Sequence, residues 1–585
     1  MSVLIFRTLG RVCLENNSQT STNLKYDIPC DHLGFPYIPV YELLSRYFNI
    51  PSGVEIGFAR LEDYDGLATA AIDIGNNKSL FPQLVLNLFT EIIENETGKN
   101  RVLRQGLTFV CRISSPLELR QEINKQLEGI THIGAIGTNV SGEIEIYAEW
   151  NENNYTQPSG IKLNPNVKYK RLNYSLDLMS PLCAYLPYNN GAKSDSKISG
   201  YVVYQWLRDR LGDEWREFVA EGMPKCSNAY ICVDGKRCLS SPSCMFQRKN
   251  NKNIVEYRLA NIGEQYNEIC KKIIKYIPEP TANEIQYTDV EQKIIYPCTA
   301  EKEDLCGQKR RRTAMREGQV FKGFFEGTDE QIRRIYSLIS SNPIAFLGFY
   351  TDEGYGETVI NVQNLEIDEN KAEQAVRCFD VMLASDAVLF NDAGLNESSR
   401  NAFEQTVIGA FGSSYKLNVI DCYMNQGVTF PIDRNYCMSD SVLKIISAGS
   451  ILRMESADGQ PVDISKLNGS FIGYGNEKGY GELKVLPASD TVIRYARSVR
   501  ADEFYKSRRL SDRQLLRYAE FIRNVQDETM RHKVYMLALN DIKQNESVSD
   551  EDLDMLFQVM KRKYNRDIEI ATMKRWYCEA KEANE

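Results

Sequence analysis

An α+β fold is predicted by three features of the sequence. A strand–helix–Gly-rich loop–strand phrase recurs three times, alternating strands open and close the first segment, and a charged tail carries helical spacing. Repeated β-α-β phrases with a split partner strand read as tandem ferredoxin-like (RRM-type) domains, a common RNA-handling scaffold. The tail reads as a C-terminal small helical module.

The first phrase lies in residues 1–155. Val3-Leu4-Ile5-Phe6 alternates as a strand, and Gly106 to Ile113 is a second. A helix carrying Leu117, Leu119, Ile123 and Leu127 follows. Then come the loop Ile133 to Gly142 and a closing strand, Glu143 to Tyr147. A loop rich in Asn, Thr, Pro and Ser, Asn151 to Asn166, leads to the second segment, 167–370. There Gly318 to Phe325 leads into a helix with Ile332, Ile335, Leu338 and Ile339, and then into the loop Leu347 to Glu357. The third segment, 371–495, holds the loop Ile472 to Glu482, which is also expected to follow a helix. In the tail, 500–585, Ser511-Asp512-Arg513-Gln514 reads as a capping box. Further helices are expected from Ser549 and over Asp567 to Lys581.

Composition narrows the function classes. The 585 residues carry 70 Lys+Arg against 79 Asp+Glu, a formal charge of −9, which argues against a uniformly basic nucleic-acid coat. A local basic groove remains compatible with that sum, because binding follows the patch. Three histidines make a His-rich metal site or His-driven catalysis a poor expectation. The apolar run after Met1 is short and lacks a basic leader, and no apolar stretch is long enough to span a bilayer. Fifteen scattered cysteines suit a reducing compartment. A cytoplasmic protein with no membrane partner is expected.

The ordered succession of phrases resembles the RAMP-superfamily subunits of type III CRISPR effector complexes. Over residues 1–155, Asp31-His32-Leu33-Gly34-Phe35-Pro36-Tyr37-Ile38-Pro39 and Thr90 to Lys99 are similar to phrases of the backbone subunits. From about 168 to 490 the order resembles the two-RRM end-capping subunit of type III-D: Ser180-Pro181, Lys197-Ile198-Ser199-Gly200, Gly318-Gln319-Val320-Phe321, Leu383 to Phe390, and Ala448-Gly449-Ser450. The resemblance implies a backbone-type RAMP domain fused to a capping subunit. It implies crRNA and target RNA as ligands, other effector subunits as partners, and a role in antiviral defense. The paired-aspartate signature of the effector palm is absent from the chain, so cyclic-nucleotide synthesis is not expected.

Candidate RNA-binding residues come from two patterns. Lys309, Arg310, Arg311 and Arg312, with Arg316 behind, form the densest basic run and could neutralise consecutive phosphates; a solvated loop is the plain alternative. The loop glycines Gly134, Gly137, Gly348, Gly354, Gly473, Gly475 and Gly479, with Lys478, allow close backbone approach to phosphate oxygens. Phe349, Tyr350 and Tyr474 are placed to stack on unpaired bases, whereas Tyr355 and Tyr480 are equally suited to packing beneath their loops.

Two cofactor expectations accompany these. The resemblance implies a loop aspartate and a divalent metal for RNA cleavage, and Asp27 is the best-placed acid, although the family's Gly-x-Asp context is missing. Cys226, Cys232, Cys238 and Cys244 recur every six residues and could hold a structural zinc, though the usual Cys-x2-4-Cys knuckles are absent. Three readings follow: a crRNA-binding structural subunit holding the repeat-derived tag, a metal-assisted endoribonuclease, and a protein-only scaffold.

Overall fold

In the computed structural model the chain forms two compact units. One comprises Met1–Asn151, Cys298–Arg310 and Arg508–Glu585, the other Glu152–Pro297 and Arg311–Ser507. The described residues are 2–14, 28–30, 34–51, 54–62, 64, 67, 82–95, 98–115, 117–133, 142–150, 163–184, 194–251, 254–257, 270–272, 276–278, 284–295, 312–351, 355–367, 375–391, 393–412, 415–429, 442–465, 467–488, 493–503, 524 and 570–582. Among the described residues, sheets are mostly antiparallel and helices few.

The first unit runs β1 (Val3–Thr8), α1 (Val40–Leu44), β2 (Ala59–Leu61), β3 (Thr108–Ser114), α2 (Arg120–Glu128) and β4 (Ile144–Glu149). Its strands lie in the spatial order β2-β3-β1-β4, so the first strand sits between the third and fourth. Ile5 is level with Val110 on one side and Tyr147 on the other. Leu4, Phe6, Phe109 and Cys111 are buried, and α2 covers them with Ile123 and Leu127, one helical turn apart.

The second unit repeats this order twice. Its first half is β5 (Tyr169–Leu178), α3 (Gly200–Leu211), β6 (Tyr230–Val233), β7 (Val320–Glu326), α4 (Asp329–Ser341) and β8 (Glu357–Ile367), ordered β6-β7-β5-β8. On β5, Leu172, Tyr174, Leu176 and Leu178 are buried while Arg171, Asn173 and Asp177 alternate on the other face. Gly323 is level with Tyr174, whose hydroxyl would lie 2.6 Å from a Cβ there. Helix α4 starts on a capping box: the Gln331 N–H donates to the Thr328 hydroxyl (3.3 Å) and the Thr328 N–H to Gln331 Oε1 (3.1 Å). Ile332, Ile335 and Ile339 then recur on its buried face.

The second half is β9 (Cys378–Leu383), α5 (Arg400–Phe411), β10 (Leu417–Tyr423), β11 (Ile451–Ser456) and β12 (Leu483–Pro487), ordered β10-β11-β9-β12. The expected helix ahead of the third Gly-rich loop is a correction: among the described residues, none separates β11 from β12. Asp458, Gly459 and Pro461 interrupt helical geometry there, and a short strand, Val462–Asp463, stands ahead of the loop instead. The back of this half is covered by a sheet inserted in the first half. Met382 and Ile451 pack on Met245, Val255, Tyr257 and Ile285. Asp380, wholly buried in that layer, accepts from the Arg453 guanidinium at 2.8 and 2.9 Å and from the Tyr257 hydroxyl at 2.9 Å.

Three equivalent hydrogen bonds tie the repeats to one plan. The N–H groups of Gly106, Gly318 and Gly449 each donate at 2.7 Å to the last residue of the first strand of their repeat, Thr8, Leu178 and Leu383. Beyond the repeats, α6 (Ile570–Glu582) is the described helix of the tail, and the expected helices from Ser511 and Ser549 lie outside the described residues. No described helix is long and apolar enough to cross a membrane.

Candidate nucleic-acid interface

In each repeat the same backbone bond stands just ahead of the last strand, between the residues that flank the Gly-rich segment. Ile133, Leu347 and Ile472 donate to the carbonyls of Gly142, Gly356 and Gly481 at 2.9, 2.8 and 2.9 Å. At Gly356 and Gly481 a Cβ would stand 1.9 Å from the facing carbonyl oxygen, and φ is +74° and +80°, so this position requires glycine. The residue after it is a glutamate in all three repeats, and the Glu357 and Glu482 N–H groups both donate at 2.9 Å to a serine hydroxyl, Ser180 or Ser385.

The hairpin tips diverge in what they present. In the first half of the second unit, Tyr355 is 5% exposed and packs with Cys183, Ile295 and Ala314, and Phe349 and Tyr350 lie partly buried on the same cluster. Tyr350 holds φ +60° where the second half has Gly475. In the second half, Tyr480 tucks under its loop with its hydroxyl 3.1 Å from that of Thr429. Burial pushes the Tyr480 phenol above its ordinary range. Tyr474 is 56% exposed. Among the described loop aromatics, Tyr474 is the one turned to solvent.

The loop glycines also have a packing role. The tip of the second hairpin rests on the start of α3, where a Cβ on Gly200 would lie 2.8 Å from the Cα of Gly479. The Gly200 N–H donates to Asn228 Oδ1 at 2.8 Å, and a Cβ on Gly479 would meet that oxygen at 2.3 Å. Gly473 has Val388 O 2.4 Å from its Cβ position. Gly473 and Gly479 are therefore fixed by close backbone approach, and Tyr474 and Lys478 carry the hairpin's outward chemistry.

Ion pairs lock this seam between the two halves. Lys197 Nζ stands 3.0 Å from Asp386, and Arg237 grips Glu482 with two bonds of 2.6 and 2.8 Å. The Tyr230 hydroxyl donates to Ala384 O at 2.6 Å, and Arg171 to Gly469 O at 2.8 Å. Burial works against both charges of the first pair. Even so, Asp386 and Asp195 hold Lys197 well above the usual lysine range, and Lys197 with the Ala448 N–H holds Asp386 below the usual carboxylate range. Burial raises Asp195, against the pull of Lys197.

Beside the pair lies a cleft of about 60 Å³ where Lys197 and Lys478 face Asp195 and Asp386, with Tyr474 and Tyr480 on its wall. It has room for a few waters, and with two lysines against two aspartates its charges are matched. A wider groove of about 370 Å³ sets Lys168, Lys170 and Lys225 against Glu221, Glu326 and Asp329. Burial opposes ionisation of Glu326, but bonds from Lys225 and Arg171 hold its pKa low. With charges matched, this groove has no preference for phosphate.

Other sequence candidates fall elsewhere. Asp27, Gly134, Gly137, Gly354, Lys309, Arg310 and Arg311 lie outside the described residues, as does the side chain of Arg312, which begins the strand Arg312–Met315. Arg316 is ion-paired with Glu291 and stands 3.6 Å from Glu503. The four cysteines are buried on separate partners: Cys226 is 4.0 Å from the Tyr174 hydroxyl, Cys232 and Cys238 bond main-chain oxygens of Tyr230 and Lys236, and Cys244 packs beside Tyr257. Burial pushes each thiol up to about 12, whereas zinc binds the thiolate. Among the described residues no three His, Cys, Asp or Glu side chains gather as a metal site. Phe390, Asp386 and Arg237 are seam or surface residues that sequence reasoning missed; the one available signal was the match of Ser385-Asp386 to Ser180-Pro181.

No family model matches this chain, and no curated protein matches it. Among solved structures it is similar to an RAMP protein binding different RNA substrates, at 9% identity over 54% of this chain and 100% of that one, with a TM-score of 0.27. It is similar to a chain of the type III-B Cmr-beta bound to cognate target RNA and AMPPnP, at 12% identity over 48% and 86%, TM-score 0.27. A third is Cas6 of Thermus thermophilus, at 8% identity over 54% and 99%, TM-score 0.23.

Proposed function

We propose that this chain is an RNA-binding subunit of a RAMP-type CRISPR ribonucleoprotein of the type III-D kind. It would hold crRNA, including the repeat-derived tag, and bridge other subunits. The supporting observation is the split β-α-β order, second-third-first-fourth, built three times with the same isoleucine- or leucine-to-glycine backbone bond ahead of the last strand. That order is the ferredoxin-like one, and family-like phrases occupy matching positions in each repeat. On this reading residues 1–155 are the backbone-type domain, 167–370 and 371–495 the two halves of a capping subunit, and 500–585 the helical module. The basic run Lys309 to Arg312 contacts guide phosphates, and Tyr474 and Lys478 contact the RNA at the second hairpin.

The test is purification with the native neighbouring subunits, followed by sequencing of bound RNA. Short species sharing one fixed terminal tag are expected. A complex that assembles without RNA would overturn the reading in favour of a protein-only scaffold. Replacing Lys309, Arg310, Arg311 and Arg312 by Ala is expected to weaken binding and reduce the slope of log affinity against log salt by about 3 to 4, near one for each phosphate no longer neutralised.

A further inference from the structure

The second hairpin does not expose Tyr474 alone. Phe390, 43% exposed, meets it edge to face with ring centroids 5.6 Å apart at 87°. Both rings are pinned by backbone to one segment: the Tyr474 N–H donates to Val388 O at 2.9 Å, and Phe390 pairs with Asn396 in a short hairpin. Asn396 ties that hairpin to the next strand pair, donating to Leu389 O at 3.0 Å and Lys444 O at 3.1 Å. The pair is thus held rigid while half in water, a costly arrangement for aromatic surface that serves no core.

What surrounds it favours a nucleotide. Lys444 is exposed on the strand that Asn396 grips, and Lys478 lines the cleft next to Tyr474. The nearby carboxylate of Glu397 is engaged by the Ser399 hydroxyl and, at 3.4 Å, by Asn391.

We infer that Phe390 and Tyr474 form a stacking platform for one unpaired RNA base, with Lys444 and Lys478 as the neighbouring cations for its backbone. This rests on the RNA-binding reading and adds a residue, Phe390, and a mode of contact to it. Stacking is sequence-tolerant, so the platform takes any base and favours purines through their larger π-face.

The test uses the full chain and a short single-stranded RNA carrying one fluorescent purine analogue, read by affinity and by quenching. Phe390→Ala and Tyr474→Ala should each weaken binding about tenfold and abolish quenching, with the salt dependence unchanged. Tyr474→Phe should restore both, since stacking needs the ring and not the hydroxyl. If the wild-type chain binds and the alanine variants bind and quench equally, the platform is refuted while the RNA reading stands. If the wild-type chain binds no RNA, both fall. Loss of a protein partner from the assembled complex, with RNA binding and quenching intact, would assign the rings to a protein contact and overturn the inference.

Discussion

The two hairpins of the second unit share a backbone and differ in where they send their aromatics. In the first, Tyr355 goes inward to Ile295 and Ala314, and the tip is closed by side chains. In the second, Tyr480 also goes inward, as Tyr355 does, but Tyr474, at the position of the partly buried Phe349, faces outward; this tip is held by glycine-to-backbone contact with α3 and by the pairs Lys197–Asp386 and Arg237–Glu482. A loop anchored by its own aromatic core cannot also offer those rings to a ligand. Moving the anchor to charges and glycines frees the ring.

The comparison can be broken at its shared element first. Gly481→Ala and Gly356→Ala place a Cβ 1.9 Å from a carbonyl oxygen at positive φ, and each should cost about 3 kcal/mol or more, read as a lowered melting temperature. Equal tolerance of alanine at both would show that the hairpins relax freely. Next, Tyr355→Ala should destabilise by about 3 kcal/mol as a buried aromatic is lost, measured by denaturant unfolding. Tyr474→Ala belongs at the other end of the scale, within about 0.5 kcal/mol. A similar cost for both tyrosines would erase the inward–outward distinction.

Between these lies the seam. Asp386→Asn leaves Lys197 with Asp195 as its remaining close acid, and should cost about 2 kcal/mol near neutral pH. The sign of its pH dependence follows from the lowered carboxyl. Asp386 contributes fully above the ordinary aspartate range, near ~4, and its contribution is lost as pH falls through the depressed value. Asp195 acts oppositely, because burial raises it: the folded chain holds that proton to higher pH, and charging it costs stability as pH rises. Melting curves of wild type and Asp386→Asn should therefore converge in acid. Parallel curves down to about pH 3 would remove Asp386 from the seam's energetics.

Much of the fold was legible because its signals are local. The capped helix Asp329–Ser341 showed in the spacing of Ile332, Ile335 and Ile339, and the recurring glycines marked each strand turn. The seam was not legible: Lys197 and Asp386 are 189 residues apart, and nothing in either neighbourhood names the other. The six-residue cysteine spacing suggested one cluster, but it spans short strands and turns that send each thiol to a different partner. At the hairpins, glycine spacing revealed the turn while leaving open which tyrosine faces out. That choice depends on Ile295 and Ala314, which cover one loop from a distant strand pair.

The inserted sheet in the first half of the second unit also has a consequence for synthesis. Its strand Ile254–Tyr257 pairs with Ile493–Ser498, which follows the second half, and Glu284–Tyr287 pairs with the same late strand in parallel. The insertion therefore waits, incomplete, until the ribosome has made nearly the whole unit. Such late closure makes folding slow and keeps the two halves from being separated by truncation: a chain ended after β8 would lack the strand that completes its own insertion.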